Sequence, residues 1–142
     1  MVAIRPLGPS DVDSVLGAPG LFDEPPTREA TERFLASPGH HLLMAFDDDG
    51  GRALGFVSGV EMTHPDKGTE LFLYELGVDD TARRQGVGTA LVAALRELGR
   101  ERGCYGMWVL TEADNDPALG TYRKAGATEE SAHVMLGWEL RK

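Results

Sequence analysis

The stretch Leu71–Leu98 constrains the fold most, because it joins a strand pattern to a helix pattern through a loop that contains glycines. Residues Leu71–Val78 are apolar on both alternating faces except at Glu75, which predicts a central strand covered on both sides. From Val87 onward, apolar residues recur at helical spacing and predict an amphipathic helix. A strand that leads directly into such a helix is typical of an α/β domain.

The lone carboxylate on this predicted strand is Glu75. An unpaired charge that is buried costs several kcal/mol, so its side chain should either have a partner or face a cavity. The pattern therefore leaves a structural and a functional role for Glu75 equally open.

Residues that favour turns divide the rest of the chain into short elements without internal repeats. Alternating or apolar patterns predict strands at 3–7, 41–46, 53–62, 105–110 and 133–140. Helical spacing and capping residues predict one helix that follows 9–11 and ends near residue 16, and another at 27–35. The run Asp47–Gly51 predicts a hairpin connection between two of the strands.

Length and composition limit the class of protein. The 142 residues, 42% of them hydrophobic, suffice for one core, so a single domain spanning residues 1–142 is predicted. One cysteine, Cys104, cannot form an intramolecular disulfide and favours a reducing cytoplasm. Its position at a predicted helix end favours a small buried residue over a nucleophile. The N-terminus lacks a secretion-signal pattern, and no segment reaches the ~18 apolar residues that span a bilayer.

The charge balance indicates the kind of partner. Asp and Glu number 23 against 14 Lys and Arg, for a net charge of -9. Such a chain repels nucleic acid and anionic membranes and attracts cations. The four histidines, His40, His41, His64 and His133, do not have the spacing of metal ligands. We therefore expect a small cationic substrate, and no nucleic acid, membrane or metal.

The loop Arg83–Thr89 has the features of an anion site. It lies at the start of the predicted helix, where unpaired backbone N–H groups and the positive end of the helix dipole face a ligand. Gly86 and Gly88 let a phosphate approach the backbone closely, which suggests a pyrophosphate. The loop matches neither a Walker loop nor the dinucleotide-binding glycine spacing. The alternative is that both glycines merely permit a tight turn.

The segment Val78–Leu91 resembles the acetyl-CoA signature of the GNAT N-acetyltransferases. Arg83, Gly86 and Gly88 meet that family's Arg/Gln-x-x-Gly-x-Gly/Ala pattern. The resemblance implies acetyl-CoA as co-substrate and an α/β fold. It further implies a mixed, mostly antiparallel central sheet of about six to seven strands, flanked by helices and splayed between the central strands.

The same resemblance implies how acetyl-CoA is held. Residues of the glycine loop would bind the pyrophosphate, and the end of the preceding strand would hydrogen-bond the pantetheine arm through its backbone. The residues implied for the pyrophosphate are Arg83, Arg84, Gln85, Gly86, Val87, Gly88 and Thr89, and those for pantetheine are Leu76, Gly77 and Val78.

A second segment, Asn115–Ala127, resembles the family's later Asn-x-x-Ala…Tyr-x-x-x-Gly-Phe motif. Asn115, Ala118, Tyr122 and Gly126 are in register, whereas Ala127 replaces the final Phe. The resemblance implies that Asn115 and Ala118 lie at the pantetheine and that Tyr122 protonates the departing thiolate. Taken alone, Tyr122 would more often be an aromatic residue packed at the edge of a core.

Within the family, Tyr74-Glu75-Leu76 and Asp116-Pro117-Ala118 look most like the small aminoglycoside 3-N-acetyltransferases. That resemblance implies that Glu75 lies beside the acceptor amine, as general base or as an anchor for the ammonium group. Glu61 and Asp114 are further candidates for binding a cationic acceptor, although each also fits an ordinary solvated charge.

Three functions remain open from the sequence. The first is acetyl transfer to a small cationic amine such as an aminoglycoside, with Glu75 as base and Tyr122 as acid. The second is protein N-terminal or lysine acetylation by the same fold, and the third is a non-catalytic acetyl-CoA-binding domain. The last predicted strand, 133–140, presents four apolar residues on one face and could serve packing or a homodimer contact.

Overall fold

The computed structural model describes residues 2–47 and 51–141. Its five strands form one sheet in the order β1-β2-β3-β4-β5. The strands are β1 Ala3–Pro6, β2 His40–Phe46, β3 Ala53–His64, β4 Gly68–Val78 and β5 Met107–Trp108. The helices are α1 Val12–Leu16, α2 Arg28–Ala36, α3 Val87–Glu101 and α4 Asp116–Lys124. Short 3-10 turns precede α1, follow it at Pro19–Leu21 and lie between β4 and α3.

The sheet is mixed and mostly antiparallel. Strands β1 to β4 pair antiparallel with their neighbours in chain order, whereas β5 pairs parallel to β4. The parallel pair requires a crossover, which α3 provides. The α/β fold with flanking helices that the resemblance implied is therefore confirmed.

Helices cover both faces of the sheet, and the alternation of β2 shows the two layers. Leu43 and Ala45 join the cluster that packs against α3, and Tyr122 of α4 borders the same cluster. Leu42 and Met44 join the cluster that packs against α1 and α2. The α3 layer and the α1–α2 layer thus lie on opposite sides of the sheet.

A bulge interrupts β4 where the sequence placed its lone carboxylate. Ser58 of β3 pairs with Glu75, but the next residue of β3 pairs with Leu73, which leaves Tyr74 as the extra residue. Leu73 faces α3, whereas Glu75 faces the α1–α2 layer. The prediction that both faces of this strand are covered is wrong at Tyr74, whose side chain is 62% exposed.

The sheet opens between β4 and β5. Only Leu71 with Met107 and Phe72 with Trp108 are paired, and β4 continues to Val78 without β5 beside it. The splay that the resemblance implied is therefore present. The strand predicted at 105–110 is correspondingly shorter.

Two sequence predictions are corrected by the structure. Among the described residues the sheet has five strands instead of six to seven. The strand predicted at 133–140 is not formed, since residues 128–141 adopt neither helix nor strand. Their alternating pattern suits a strand, but a strand requires a partner edge, and this segment pairs with none within the described chain. Part of the predicted hairpin turn, Asp48–Gly50, lies outside the described residues.

The described α-helices are between 5 and 15 residues long. None of them combines the length and the apolar character that crossing a membrane requires.

Candidate active site

A cavity of about 180 Å³ lies between the sheet and the α1–α2 layer, with Glu75 in its wall. Most of its lining is apolar. The lining residues are Val15, Phe22, Pro26, Thr27, Ala30, Thr31, Phe34, Leu35, Leu42, Ser58 and Glu75. Of the two placements that the sequence allowed for the Glu75 side chain, beside a partner or facing a cavity, the structure shows the cavity.

Ser58 fixes the backbone at the bulge. Its side chain is 2% exposed, and its hydroxyl accepts a hydrogen bond from the Glu75 N–H at 3.1 Å. Because the bulge removes one ladder bond, this hydroxyl satisfies an amide that would otherwise be unpaired. The sequence reasoning missed Ser58, although a lone polar residue in the apolar stretch 54–60 was a signal of the same kind as Glu75 itself.

The environment of Glu75 favours its neutral form. Burial raises the pKa of the carboxyl group, and the negative charge of Asp23 raises that pKa further. A carboxylate with a raised pKa accepts a proton more readily, which is the property required of a general base near neutral pH. The negative charges of Glu75 in the cavity wall and of Asp23, which is close enough to act on it, attract a cation.

The loop between β4 and α3 is held by its own polar side chains. Asp79 accepts hydrogen bonds from the N–H of Thr81 at 2.9 Å and from its hydroxyl at 2.6 Å. The side-chain amide of Gln85 donates to the Thr81 carbonyl at 3.2 Å. Arg83 forms an exposed ion pair with Asp80 at 3.1 Å. These contacts shape the loop that precedes the glycines.

Helix α3 begins after Gly86 in the manner expected of an anion site. Gly86, the residue before the helix, has φ +81° and, as a glycine, has no side chain with which to cap the first amides of α3. The first amides of α3, Val87, Gly88 and Thr89, therefore lack the intrahelical partners that later amides have. Its first turn contains no acidic residue, so nothing there offsets the positive end of the helix dipole.

Arg84 has an unusual backbone conformation, with φ +65°. A non-glycine residue in this region costs about 1 kcal/mol or more. Such strain often marks a functional loop, and here it occurs within the residues to which the sequence assigned the pyrophosphate.

We expect Arg84→Gly to leave the free energy of unfolding within about 1 kcal/mol of wild type, because relief of strain offsets the added freedom of the unfolded chain. Its affinity for acetyl-CoA should fall several-fold, since a positive charge beside the phosphates is lost. Calorimetric titration and urea unfolding measure the two effects. Arg100→Ala is the control for the loss of one positive charge. Arg100 lies in the last turn of α3 and pairs with Glu97, away from the glycine loop, so its removal should leave acetyl-CoA affinity unchanged. Equal acetyl-CoA affinity of Arg84→Gly and wild type would contradict the assignment.

Helix α4 lies beside the start of α3. A β-carbon on Gly88 would be 3.4 Å from Cγ2 of Thr121, an ordinary van der Waals distance, so α4 packs closely against the first turn of α3. Asn115 caps α4, with its side-chain oxygen accepting from the Ala118 N–H at 3.2 Å. The two residues that the resemblance assigned to pantetheine are thus joined by the helix cap.

Tyr122 is half-buried against the α3-side cluster. Burial raises the pKa of its phenol group. The hydroxyl therefore stays protonated at neutral pH and has a proton to donate. Its position is compatible both with the packing role and with the catalytic role that the sequence left open.

Glu61 and Asp114 do not join Glu75 at the cavity. Glu61 faces the α3 side of the sheet, where its carboxylate contacts Arg102 and lies 2.6 Å from His41 Nε2. Burial acts to raise the pKa of Glu61, but the hydrogen bonds from His41 and Arg102 outweigh it and lower the pKa. Asp114 is exposed in the turn before α4. The proposed acceptor contacts of both residues are therefore not supported by their placement.

No group of three or more His, Cys, Asp or Glu side chains in residues 2–47 and 51–141 is arranged to hold an ion.

The chain is similar in sequence to a known family of proteins. Residues 14–127 match the model of the Acetyltransferase (GNAT) family. The chain is 36% identical over 100 residues to a mycothiol acetyltransferase of Arthrobacter sp. (strain FB24), a match that covers 68% of this chain and 30% of that protein. The chain thus spans about a third of the length of this curated relative.

Two solved structures share the fold over almost the whole chain. One is an aminoglycoside acetyltransferase, meta-AAC0020, from an uncultured soil metagenomic sample in complex with sisomicin, with TM-score 0.89, 21% identity and coverage of 99% and 97% of the two chains. The other is AAC(6')-Iy in complex with the bisubstrate analogue CoA-S-monomethyl-acetylneamine, with TM-score 0.82, 22% identity and 99% coverage of both chains. With its splayed sheet, its glycine loop at the start of α3 and the family match over 14–127, this chain belongs to the GNAT family of acetyltransferases.

Proposed function

We propose that this protein transfers the acetyl group of acetyl-CoA to the primary amine of a small cationic acceptor, with Glu75 as general base and Tyr122 as general acid. The observation that carries the proposal is the position of Glu75, which lies in the wall of a cavity on the strand that borders the splayed opening. Family membership supports acetyl-CoA as the donor.

The residues present suit acetyl-CoA. The unpartnered amides at the start of α3 and the positive side chain of Arg84 would hold its phosphates. Leu76, Gly77 and Val78 of β4 pair with β3 on one side but have no β5 neighbour on the other. On that open side the strand would offer backbone groups to the pantetheine arm. Bound there, acetyl-CoA supplies the activated thioester carbonyl.

The chemistry assigned to the protein is proton transfer and charge stabilisation. An amine is protonated at neutral pH and cannot attack until Glu75 removes a proton, directly or through water. The amine nitrogen then forms a bond to the thioester carbon, and a backbone N–H near the bulge would stabilise the oxyanion. As the C–S bond breaks, Tyr122 donates its proton to the thiolate, and the second proton that the nitrogen must lose returns through solvent to the Tyr122 phenolate. Glu75 releases the first amine proton to solvent, so the net products are the N-acetylated amine, the CoA thiol and one proton. No covalent intermediate with the protein is required.

An aminoglycoside is the acceptor that we propose first, with acetylation at its 3-amino group. The net charge of -9 and the pair of carboxylates Asp23 and Glu75 favour a polycation. The aminoglycoside acetyltransferase meta-AAC0020, which shares this fold, was solved in complex with sisomicin, and this supports an aminoglycoside as acceptor here. The choice of the 3-amino group rests on the sequence resemblance to the small aminoglycoside 3-N-acetyltransferases.

A second candidate is the amine of a peptide, either its N-terminus or a lysine. The observation that favours it is the apolar wall of the cavity, including Phe22, Phe34 and Leu35. An apolar side chain next to the reacting amine would fill that space better than a sugar ring rich in hydroxyl groups. A non-catalytic acetyl-CoA-binding role is disfavoured, because Glu75 and Tyr122 are both present with shifted pKa values.

Release of free thiol from acetyl-CoA tests these proposals directly. The acceptors are gentamicin, kanamycin, spermidine, free amino acids and an N-terminal peptide. Release with an aminoglycoside that has a free 3-amino group, and none with one blocked there, would support the first proposal. Release with the peptide alone would select the second. Tight binding of CoA without thiol release from any amine would favour the non-catalytic role.

We expect Tyr122→Phe to lower kcat by about 10-fold, because solvent water can replace a general acid only partly. The affinity for acetyl-CoA should change little, since only the hydroxyl is removed. Steady-state kinetics with the best acceptor of the panel measures the effect. A fall in stability of more than about 1 kcal/mol with unchanged kcat would instead assign Tyr122 to packing alone.

A further inference from the structure

The cavity at Glu75 combines one carboxylate with a wall that is mostly apolar. Apart from Glu75, its polar side chains are the hydroxyl groups of Thr27, Thr31 and Ser58. A sugar ring rich in hydroxyl and ammonium groups would lose its hydrogen bonds to water against the apolar part of this wall and would find few partners there. An aminoglycoside can therefore present an amine to Glu75, but it gains little from the rest of the cavity.

The cavity has a closed floor and an open side. Leu42 and Ser58 of the sheet are buried, as is Leu35 of α2. Thr27, which caps α2, and Ala30 in its first turn are exposed. A ligand would therefore enter beside the first turn of α2 and end against the sheet.

Two aromatic side chains of the wall are held in place by neighbouring rings. Phe22 stacks on Phe56, with ring centroids 4.3 Å apart and an angle of 27° between the planes. Phe34 meets His40 edge to face, with centroids 5.2 Å apart. Because each ring has a neighbour that fixes it, little ordering of the wall is required when a ligand binds. Such a wall suits an apolar group that can pack against aromatic rings.

The volume of the cavity limits the size of that group. It is about 180 Å³. An apolar cavity of about 150 Å³ is large enough to bind benzene. The space at Glu75 therefore accommodates one aromatic ring or a branched alkyl group of similar size.

The charges near the cavity select the group that accompanies the ring. Glu75 lies in the wall, and the charge of Asp23 is close enough to act on it. Two neighbouring carboxylates attract an ammonium group and repel a further carboxylate. A free amino acid, which has a carboxylate next to its amine, is therefore a poor fit.

A peptide is also a poorer fit than a simple amine, because it places a carbonyl group and an N–H group next to its terminal amine. Both groups need hydrogen-bond partners when they are buried. Two of the hydroxyl oxygens in the wall are already used, since Thr27 accepts from the Ala30 N–H at 3.2 Å and Ser58 accepts from the Glu75 N–H at 3.1 Å. A primary amine on an apolar group requires a partner only for its ammonium group.

We infer that this cavity binds the apolar group of a primary monoamine, an aromatic ring or a branched alkyl group of similar size, while the ammonium group lies at Glu75. The inference rests on the acetyl transfer proposed above and adds an apolar monoamine to the acceptors of the same site. Acetylation would give the N-acetylated amine, the CoA thiol and one proton, as with the other acceptors.

Calorimetric titration of the whole chain with CoA present measures amine binding without acetyl transfer. Phenylethylamine should bind about 100-fold or more tightly than ethylamine, which has the same charge but leaves the cavity empty. Phenylalanine, which differs from phenylethylamine only by its carboxylate, should bind about 10-fold or more weakly than phenylethylamine. Glucosamine should bind no better than ethylamine, because its hydroxyl groups oppose burial of the ring. Equal affinity for phenylethylamine and ethylamine would overturn the inference.

Ala30→Leu fills part of the cavity from its exposed side. We expect the ratio of the affinities for phenylethylamine and ethylamine to fall about 10-fold or more, because the larger side chain occupies the space of the ring. Ala36→Leu is the matched control, since Ala36 is an exposed residue of the same helix and does not line the cavity. Urea unfolding checks that both variants are folded. A ratio that is the same in Ala30→Leu as in wild type would contradict the assignment of the cavity.

Thiol release from acetyl-CoA separates this inference from the proposed function. Release with phenylethylamine at a kcat/KM about 100-fold or more above that of ethylamine would support both. Release with gentamicin or kanamycin, and no preference for phenylethylamine over ethylamine, would overturn the inference alone. Tight binding of phenylethylamine that Ala30→Leu weakens, without release from any amine, would support the assignment of the cavity and overturn the proposed transfer. Tighter binding of a peptide that begins with phenylalanine would replace the monoamine by a peptide N-terminus.

Discussion

Glu75→Gln is expected to lower kcat by about 100- to 10,000-fold, the range that a general base contributes. The affinity for acetyl-CoA should stay at the wild-type value, because the side chain faces the cavity on the α1–α2 side and not the loop at the start of α3. Thiol-release kinetics and calorimetric titration of acetyl-CoA measure the two quantities. An unchanged kcat would remove Glu75 from the mechanism.

The pH profile of kcat/KM gives an independent test of the same residue. Activity should rise with pH as Glu75 loses its proton, and the midpoint should lie above that of an ordinary carboxyl group, because burial and then the charge of Asp23 raise its pKa. Asp23→Asn should move the midpoint to lower pH, since one of the two causes is removed. If the midpoint is the same in Asp23→Asn as in wild type, a group other than Glu75 titrates in this part of the profile.

Stability distinguishes a catalytic carboxylate from a structural one. A carboxyl with a raised pKa stabilises the folded state only while it is protonated, and this contribution is lost as pH rises through the folded-state pKa. At neutral pH the charge of Glu75 therefore lowers the free energy of unfolding, and Glu75→Gln should be at least as stable as wild type. Urea unfolding at neutral pH measures this. A clear loss of stability would indicate an ion pair.

Glu61→Gln is the matched control, because it is the same change on the opposite face of the sheet. The lowered pKa of Glu61 means that its charged form stabilises the fold above the unfolded-state pKa, and the contribution is lost as pH falls through the folded-state pKa. Its contacts with His41 and Arg102 should make the substitution cost about 1–3 kcal/mol at neutral pH. Its kcat should match wild type. Glu75→Gln should thus lose activity and keep its stability, whereas Glu61→Gln should lose stability and keep its activity.

Gly77→Ala is expected to lower the free energy of unfolding by about 3 kcal/mol. A β-carbon at Gly77 would collide with the carbonyl oxygen of Leu21 and would lie 2.7 Å from Cε1 of Phe56. The first of these atoms belongs to the backbone, and the ring of Phe56 is buried in the α1–α2 layer. Neither can move away without disturbing the loop and the core around it.

Gly106→Ala is the control for this prediction. A β-carbon at Gly106 would have nothing within 4 Å, so its effect on stability should be within about 0.5 kcal/mol. Urea unfolding of both variants gives the comparison. Equal stability of Gly77→Ala and wild type would mean that the loop carrying Leu21 moves freely, in which case it could not shape the acceptor cavity.

Local sequence patterns were sufficient to predict most of the elements. Helix α3 starts at Val87, where the apolar spacing begins, and Thr27 caps α2 by accepting from the Ala30 N–H. Both features depend on residues a few positions apart, which the sequence displays directly. The glycine loop and the later Asn-to-Tyr segment were likewise recognisable, because phosphate binding at a helix start needs particular residues at adjacent positions.

The position of each carboxylate relative to the sheet was beyond the reach of local patterns. Glu61 and Glu75 both looked like candidates for the acceptor site, but they lie on opposite faces, because the bulge at Tyr74 shifts the alternation of β4. A bulge depends on the partner strand, and Ser58 stabilises it from β3 across a separation of 17 residues. Contacts between distant residues therefore decide which side chains share a cavity.

The segment 133–140 shows the same distinction at the end of the chain. Its alternating apolar residues allow it to form a strand, and this capacity is a property of the sequence alone. Whether it becomes one depends on pairing with the edge of a sheet, and in the described fold the segment pairs with no strand and stays exposed. Local chemistry determines which elements are possible, whereas hydrogen-bond partners and buried surface, which exist only in three dimensions, determine which of them form and what they face.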